Sequence, residues 1–241
     1  LKKADCFVFE CDTASQEAQA VIAEMMAAEQ PLGELLTAET YALLEQTAQK
    51  CGISMDRLNA FRPWAVTSAL SSQAAAAELG TRSARSALQQ GVEERVRKYV
   101  GEKPVHYLET AREQLEVLDG FSPALQDAMV KSVCQQILNP EETGSTLAQW
   151  PDWWAEGETE PFIYAYEAEN EFAEPALTEE YRWGLITLRN RRMAEGLRVL
   201  LEQGEGEKIF ATVGLLHLVL PEESVLRELE AMGYQVEQVK E

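Results

Sequence analysis

The chain has 241 residues, with 21 basic against 41 acidic side chains and a net charge of −20. That balance repels phosphates and argues against nucleic acid or anionic membrane surfaces as partners, and it is compatible with a cationic or peptide substrate. An apolar fraction of 46% supplies a core for one large domain or two small ones, and the acidic residues spread along helices as solvated faces.

Leu1 to Asp5 reads as the end of a helix feeding a strand, and the chain opens without methionine. Upstream residues are therefore expected to be missing. Asp5 to Glu10 is a short buried strand ending in a carboxylate. Thr37 caps a helix whose apolar positions Tyr41, Leu43, Leu44 and Ala48 recur at helical spacing, with Gly52 as its stop. Pro63 opens the next helix, which runs through Ala74 to Leu79 and stops at Gly80. A short amphipathic helix is predicted from Gly91 to Val100, and a strand from Lys103 to Glu109. Thr110 and Glu113 form a capping box for the helix that follows, and Ser122-Pro123 starts another that reaches about Leu138.

Asn139 to Ser145 is a turn-rich break. The cluster Trp150, Trp153 and Trp154 reads as core or packing surface, and helical periodicity resumes from Glu158 to Phe172. The longest helix is predicted from about Glu179 to Gln203, capped by Thr178 and stopped by Gly204. Ile209 to Val213 is a further strand, Pro221 begins a helix to Met232, and Tyr234 to Val239 forms a last strand. The order is that of an α/β fold: a central, mostly parallel or mixed sheet of few strands with a large helical insertion, over about 13–100 and 111–205, helix-rich overall. No apolar run approaches the roughly 18 residues of a membrane span, and no signal peptide is present. Cys6, Cys11, Cys51 and Cys134 lack metal-type spacing; Cys6 and Cys11 point to opposite faces of one strand, so buried free thiols are expected.

The candidate chemistry lies at strand ends. Gly214-Leu215-Leu216-His217 follows the Ile209 strand, and His217 is one of only 2 histidines. A histidine released there suits a metal ligand or a general base, or else a packed ring satisfied locally. Glu10 ends an apolar strand, where a carboxylate is paired or functional. Glu109 is similarly placed but leads into a capped helix, which gives it a structural role through the dipole. His106 reads as a packed, hydrogen-bonded histidine. Arg189-Asn190-Arg191-Arg192 is either a basic turn in solvent or a buried arginine and asparagine facing the strand-end carboxylates. Arg189 and Arg192 are expected to share one face. Serine-hydrolase, nucleotide and dinucleotide motifs are lacking.

Read together, the segments resemble the TraB/GumN family, whose animal relatives are the Tiki metalloproteases. The resemblance rests on Ala4 through Asp12, on Arg62-Pro63-Trp64, and on Lys103 through Leu115. It continues in Trp154 through Glu158, in Arg189-Asn190 through Ala194, and in Val213-Gly214-Leu215-Leu216-His217-Leu218 through Gly233-Tyr234. It covers essentially the whole chain in order, as a single domain. It implies a fold related to the haem-binding ChaN and erythromycin-esterase-like proteins. It also implies a site of two GxxH motifs and a glutamate with divalent-metal-dependent peptidase activity. Carried over, Glu10 and His217 would hold a divalent transition metal (Mn, Co or Zn). Glu10, His217 and Arg189 would be catalytic, and Asn190 and Glu109 would bind a peptide or protein substrate. The first GxxH, expected just before the Glu10 strand, is not in the chain and is expected upstream of Leu1. The resemblance further implies an extracytoplasmic location, exported or membrane-anchored through an N-terminal segment. The other function it implies is a non-catalytic protein that sequesters peptide or haem in the same cleft.

Overall fold

In the computed structural model, residues 1–80, 92–143, 146–204 and 206–239 are described. Three strands form one open sheet: β1 (Cys6–Cys11), β2 (Val105–Glu109) and β3 (Ile209–Thr212), in the order β2-β1-β3 and parallel throughout. Parallel neighbours need long crossovers. The stretches between the strands supply them, and their described residues are mostly helical, which makes the fold α/β and helix-rich as its sequence predicts. The central strand is covered on both faces, so it reads as a continuous apolar run up to Glu10. Phe7 and Phe9 pack on one face with Val96 and Phe210. Val8 packs on the other with Met193, Ala194 and Val225, under the Arg189–Gln203 and Val225–Ala231 helices. A separate core joins the Ala38–Cys51, Pro63–Glu78 and Pro123–Leu138 helices through Leu44, Leu70 and Val130.

The helix signals act where the sequence places them. Thr37 and Ser122 accept hydrogen bonds from the Thr40 and Leu125 amides, Thr110 and Glu113 form both halves of a capping box, and Gly52 ends its helix in the left-handed region at φ 69°. All four cysteines are free thiols. Trp150 and Trp153 pack edge-on against Phe162, whereas Trp154 is exposed. Among the described residues, no helix is long and apolar enough to cross a membrane.

Several elements differ from expectation. The predicted 91–100 helix is Val92–Arg97, and Gly91 lies outside the described residues, as do Gly144 and Ser145 of the predicted break. The predicted 158–172 helix is shorter, Glu160–Glu169. The longest helical segment begins at Pro175, not Glu179, and Thr178 does not cap it; its hydroxyl accepts the Phe172 amide at 2.9 Å. The last helix is Val225–Ala231, capped by Ser224, and Pro221 lies in the preceding link. No strand forms over residues 234–239, because Tyr234 and Val236 satisfy their apolar character against the Val8–Met193 core. His106 is exposed rather than packed, since β2 is an edge strand.

The long segment also changes its winding. Pro175–Arg182 is α-helical, Trp183–Leu188 is a π-helix, and Arg189–Gln203 resumes the α-helix. A wide turn of this kind often marks a functional site. Gly184 allows it to seat: a Cβ there would lie 2.6 Å from Phe121 Cε1 and 3.2 Å from Val117 Cγ1. Gly184→Ala should therefore cost about 1–3 kcal/mol through overpacking, measured as a lower denaturation midpoint at unchanged m-value.

Candidate active site

A parallel sheet sends all its strands out on one side, so the ends of β1, β2 and β3 converge. Glu10 comes from the end of β1 and Glu109 from the end of β2, in register with the neighbouring Cys11. Arg189 opens the α-helix that packs on this sheet. Its Nη2 donates to Glu10 Oε1 at 2.5 Å and also to Glu109 Oε1, while its Nε donates to Glu109 Oε2 at 3.0 Å. Arg189 and Glu109 are 6% and 5% exposed, so this is a buried, charge-assisted clamp with one positive group for two negative ones. Burial pulls the Arg189 pKa down, but the hydrogen bonds and charges of Glu109 and Glu10 outweigh it and leave the pKa above the usual value. Burial likewise pushes the Glu10 carboxyl up. The guanidinium of Arg189, the Gly214 N–H and His217 together more than reverse that, and Glu10 titrates below the ordinary carboxylate range.

The segment after β3 completes the arrangement. The Gly214 N–H donates to Glu10 Oε2 at 2.7 Å, and the Gly214 carbonyl accepts the His217 N–H at 3.0 Å. That pair of bonds is the physical content of the GxxH spacing: one turn hangs the histidine beside the glutamate. His217 lies in the short helical turn Leu216–Val219 and is 6% exposed. Its ring meets Asn190 Oδ1 at 2.6 Å through Nδ1, and the Asn190 amide nitrogen donates to the Glu223 carbonyl. Because the amide nitrogen is engaged by a carbonyl, its oxygen faces the imidazole. Nδ1 is then the donor and Nε2 carries the lone pair. Burial first, and the Arg189 charge second, push the His217 pKa down to about 4 against the opposing pull of Glu10. The ring is neutral at physiological pH.

Gly214 is also the floor of the site. A Cβ added there would stand 3.3 Å from Glu10 Oε2, 3.3 Å from His217 Cδ2 and 4.0 Å from His217 Nε2. Only a glycine leaves that space between the carboxylate and the imidazole open.

The structure thus brings Glu10, Glu109, Arg189, Asn190 and His217 into one connected cluster. Asn190 and Glu109 are both engaged with protein partners, His217 and Arg189 respectively. Arg189 and Arg192 do not share a face in the way expected. Arg192 is exposed, and the residue that accompanies Arg189 inward is Asn190. The pattern behind this is readable in the sequence: Ile186, Arg189, Asn190, Met193, Ala194 and Leu197 form one helical stripe, and all are buried. Arg191 points outward and stacks its guanidinium 5.3 Å over Trp183. Gln114, which donates to Glu10 Oε1 at 3.0 Å, and Glu223 are site residues that sequence reasoning does not find. Gln114 could be sought as the helical residue following a capping box at a strand end; Glu223 meets Asn190 through its backbone carbonyl, a contact that leaves no sequence signal.

Neither a curated protein nor a solved structure matches the chain. The model of the TraB/PrgY/gumN family matches residues 1–238. Spanning nearly every residue, that match and the ordered site motifs agree, and the chain belongs to the TraB/PrgY/gumN family.

Proposed function

We propose that the protein is a divalent-metal-dependent hydrolase, a peptidase, acting at the Glu10–His217 cleft. The observation that carries this reading is geometric: the His217 ring, held at Nδ1 by Asn190 Oδ1, sets Nε2 beside the same glycine floor as Glu10 Oε2. The donor set suits a transition metal in kind: an imidazole oriented by a neighbouring amide oxygen, and an ionised carboxylate. Among the described residues, no group of three or more His, Cys, Asp and Glu side chains stands ready to hold an ion. His217 and Glu10 would supply two ligands, and the first GxxH of the family resemblance would supply another. An ion such as Mn²⁺, Co²⁺ or Zn²⁺ would contribute Lewis acidity and an activated water.

The remaining chemistry belongs to the chain's own side chains. A Glu10 carboxyl held below its usual range is a ligand and orienting acceptor rather than a base tuned near neutrality. Arg189 has Nε and Nη2 committed to the two carboxylates, and its positive charge lies where it can polarise a substrate carbonyl. Glu109 holds that guanidinium in place, and Asn190 holds the ring of His217.

The reading is tested on the full chain with a mixed peptide library and added Mn²⁺, Co²⁺ or Zn²⁺. Cleavage should appear only with metal, disappear on chelation, and fall to background in His217→Ala. Equal rates for wild type and His217→Ala would refute it. Saturable peptide or haem binding with no metal uptake would instead favour sequestration in the same cleft.

A further inference from the structure

Glu223 lies outside every motif that points to the site, yet three bonds converge on it. Its backbone carbonyl receives the Asn190 side-chain amide. Its carboxylate Oε2 accepts from Thr187 Oγ1 at 2.9 Å and from Arg182 Nε at 2.9 Å. Thr187 is a buried residue of the π-helical turn, and Arg182 closes the α-helix just before it. The carboxylate therefore fastens the loop after His217 to the wide turn that immediately precedes Arg189 and Asn190. Helix capping does not account for these bonds, because Ser224 caps the Val225–Ala231 helix through its own hydroxyl.

The consequence concerns the imidazole. An amide side chain has two orientations that differ by exchanging oxygen and nitrogen, and only one of them presents an acceptor to His217 Nδ1. Asn190 itself, 1% exposed, has no solvent with which to satisfy the wrong one. The Glu223 carbonyl selects the orientation by taking the amide nitrogen. If the loop moved, Asn190 would lose that selection, and His217 would lose the preference for carrying its proton on Nδ1. We propose that Glu223 is a positioning residue for His217: it fixes the Asn190 amide and thereby keeps the Nε2 lone pair directed away from Asn190. The proposal stands apart from the hydrolase reading, since it concerns the ring in the protein alone.

Histidine side-chain ¹⁵N NMR of the metal-free full chain at neutral pH tests it. With 2 histidines in the chain, the buried His217 ring and the exposed His106 ring give two separate sets of signals. Wild-type His217 should show one protonated nitrogen, Nδ1, and one unprotonated nitrogen, Nε2. Glu223→Ala should collapse that separation toward an averaged pattern in which both ring nitrogens share the proton. Glu223→Gln, whose amide oxygen still accepts from Thr187 and Arg182, should restore it. A wild-type ring protonated on Nε2 overturns the proposal, and so does a folded Glu223→Ala protein with unchanged His217 shifts. Should Glu223→Ala fail to fold, Thr187→Val carries the test. It removes one bond to the same carboxylate at nearly constant shape, and it should produce partial averaging. No change in a folded Thr187→Val protein counts against the proposal.

Discussion

Arg189→Met should lower the free energy of unfolding by about 3–5 kcal/mol. The substitution keeps an unbranched apolar stem but removes the only cation bonded to both Glu10 and Glu109 among the described residues. Glu109 is 5% exposed and cannot turn to water for compensation. An unpaired buried carboxylate either pays its desolvation cost or takes up a proton. The loss is large beside a typical total stability of about 5–15 kcal/mol, so the variant should unfold at clearly lower urea.

Two controls distinguish the buried clamp from a general loss of arginine. Arg191→Met, at an exposed position two residues away, should stay within about 0.5 kcal/mol of wild type. Adding Glu109→Gln to Arg189→Met should recover a substantial part of the loss, because it removes the charge that has no partner. The non-additivity expected for residues in direct contact is about 0.5–3 kcal/mol. Strict additivity of the two substitutions would show that the pair carries no coupling, and the clamp would then contribute little.

Different parts of this arrangement were legible in the sequence to different degrees, for physical reasons. Strands β1 and β3 were legible because their apolar runs in the sequence are continuous, and the helix starts at Thr37, Thr110 and Ser122 because capping is local chemistry. The terminal strand failed because alternation at Tyr234 and Val236 records only that one side is buried; it does not say whether a strand edge is available to pair. The π-helical turn at Trp183–Leu188 was invisible: no local signal marks it, and its Gly184 packs so near the Phe121 ring, distant in sequence, that a Cβ would not fit. At the site, Glu10 and His217 stood out as polar residues at the ends of apolar runs. The partners of Asn190 were not legible, because His217 and the Glu223 carbonyl are 27 and 33 positions away. Resemblance supplied what spacing could not, namely that these separate segments belong to one site.

Acid should destabilise the protein in two stages, and the first should be set by His217. Its pKa lies at about 4 in the fold against an ordinary 6.5. Between those values the unfolded chain binds a proton that the folded ring refuses, so stability rises with pH across the window. The contribution is complete above pH 6.5 and is lost as pH falls toward 4, by about 3 kcal/mol in total. Glu10, held below its usual value of 4.5, acts with the same sign in a lower window: its contribution is present above 4.5 and is lost as pH falls further. The check is urea denaturation at a series of pH values from 7.5 to about 3.5. His217→Gln should flatten the slope between about 6.5 and 4.5, where no depressed carboxylate of the site yet titrates. Equal slopes for His217→Gln and wild type would mean that the ring is not held neutral by its surroundings. Arg189→Met offers an independent constraint, because the guanidinium is the second cause of the depression after burial. In that variant the ring should titrate closer to 6.5 and the acid window should narrow from its low side. Burial and a buried cation thus keep the His217 imidazole neutral, and the same two causes make the fold sensitive to mild acid.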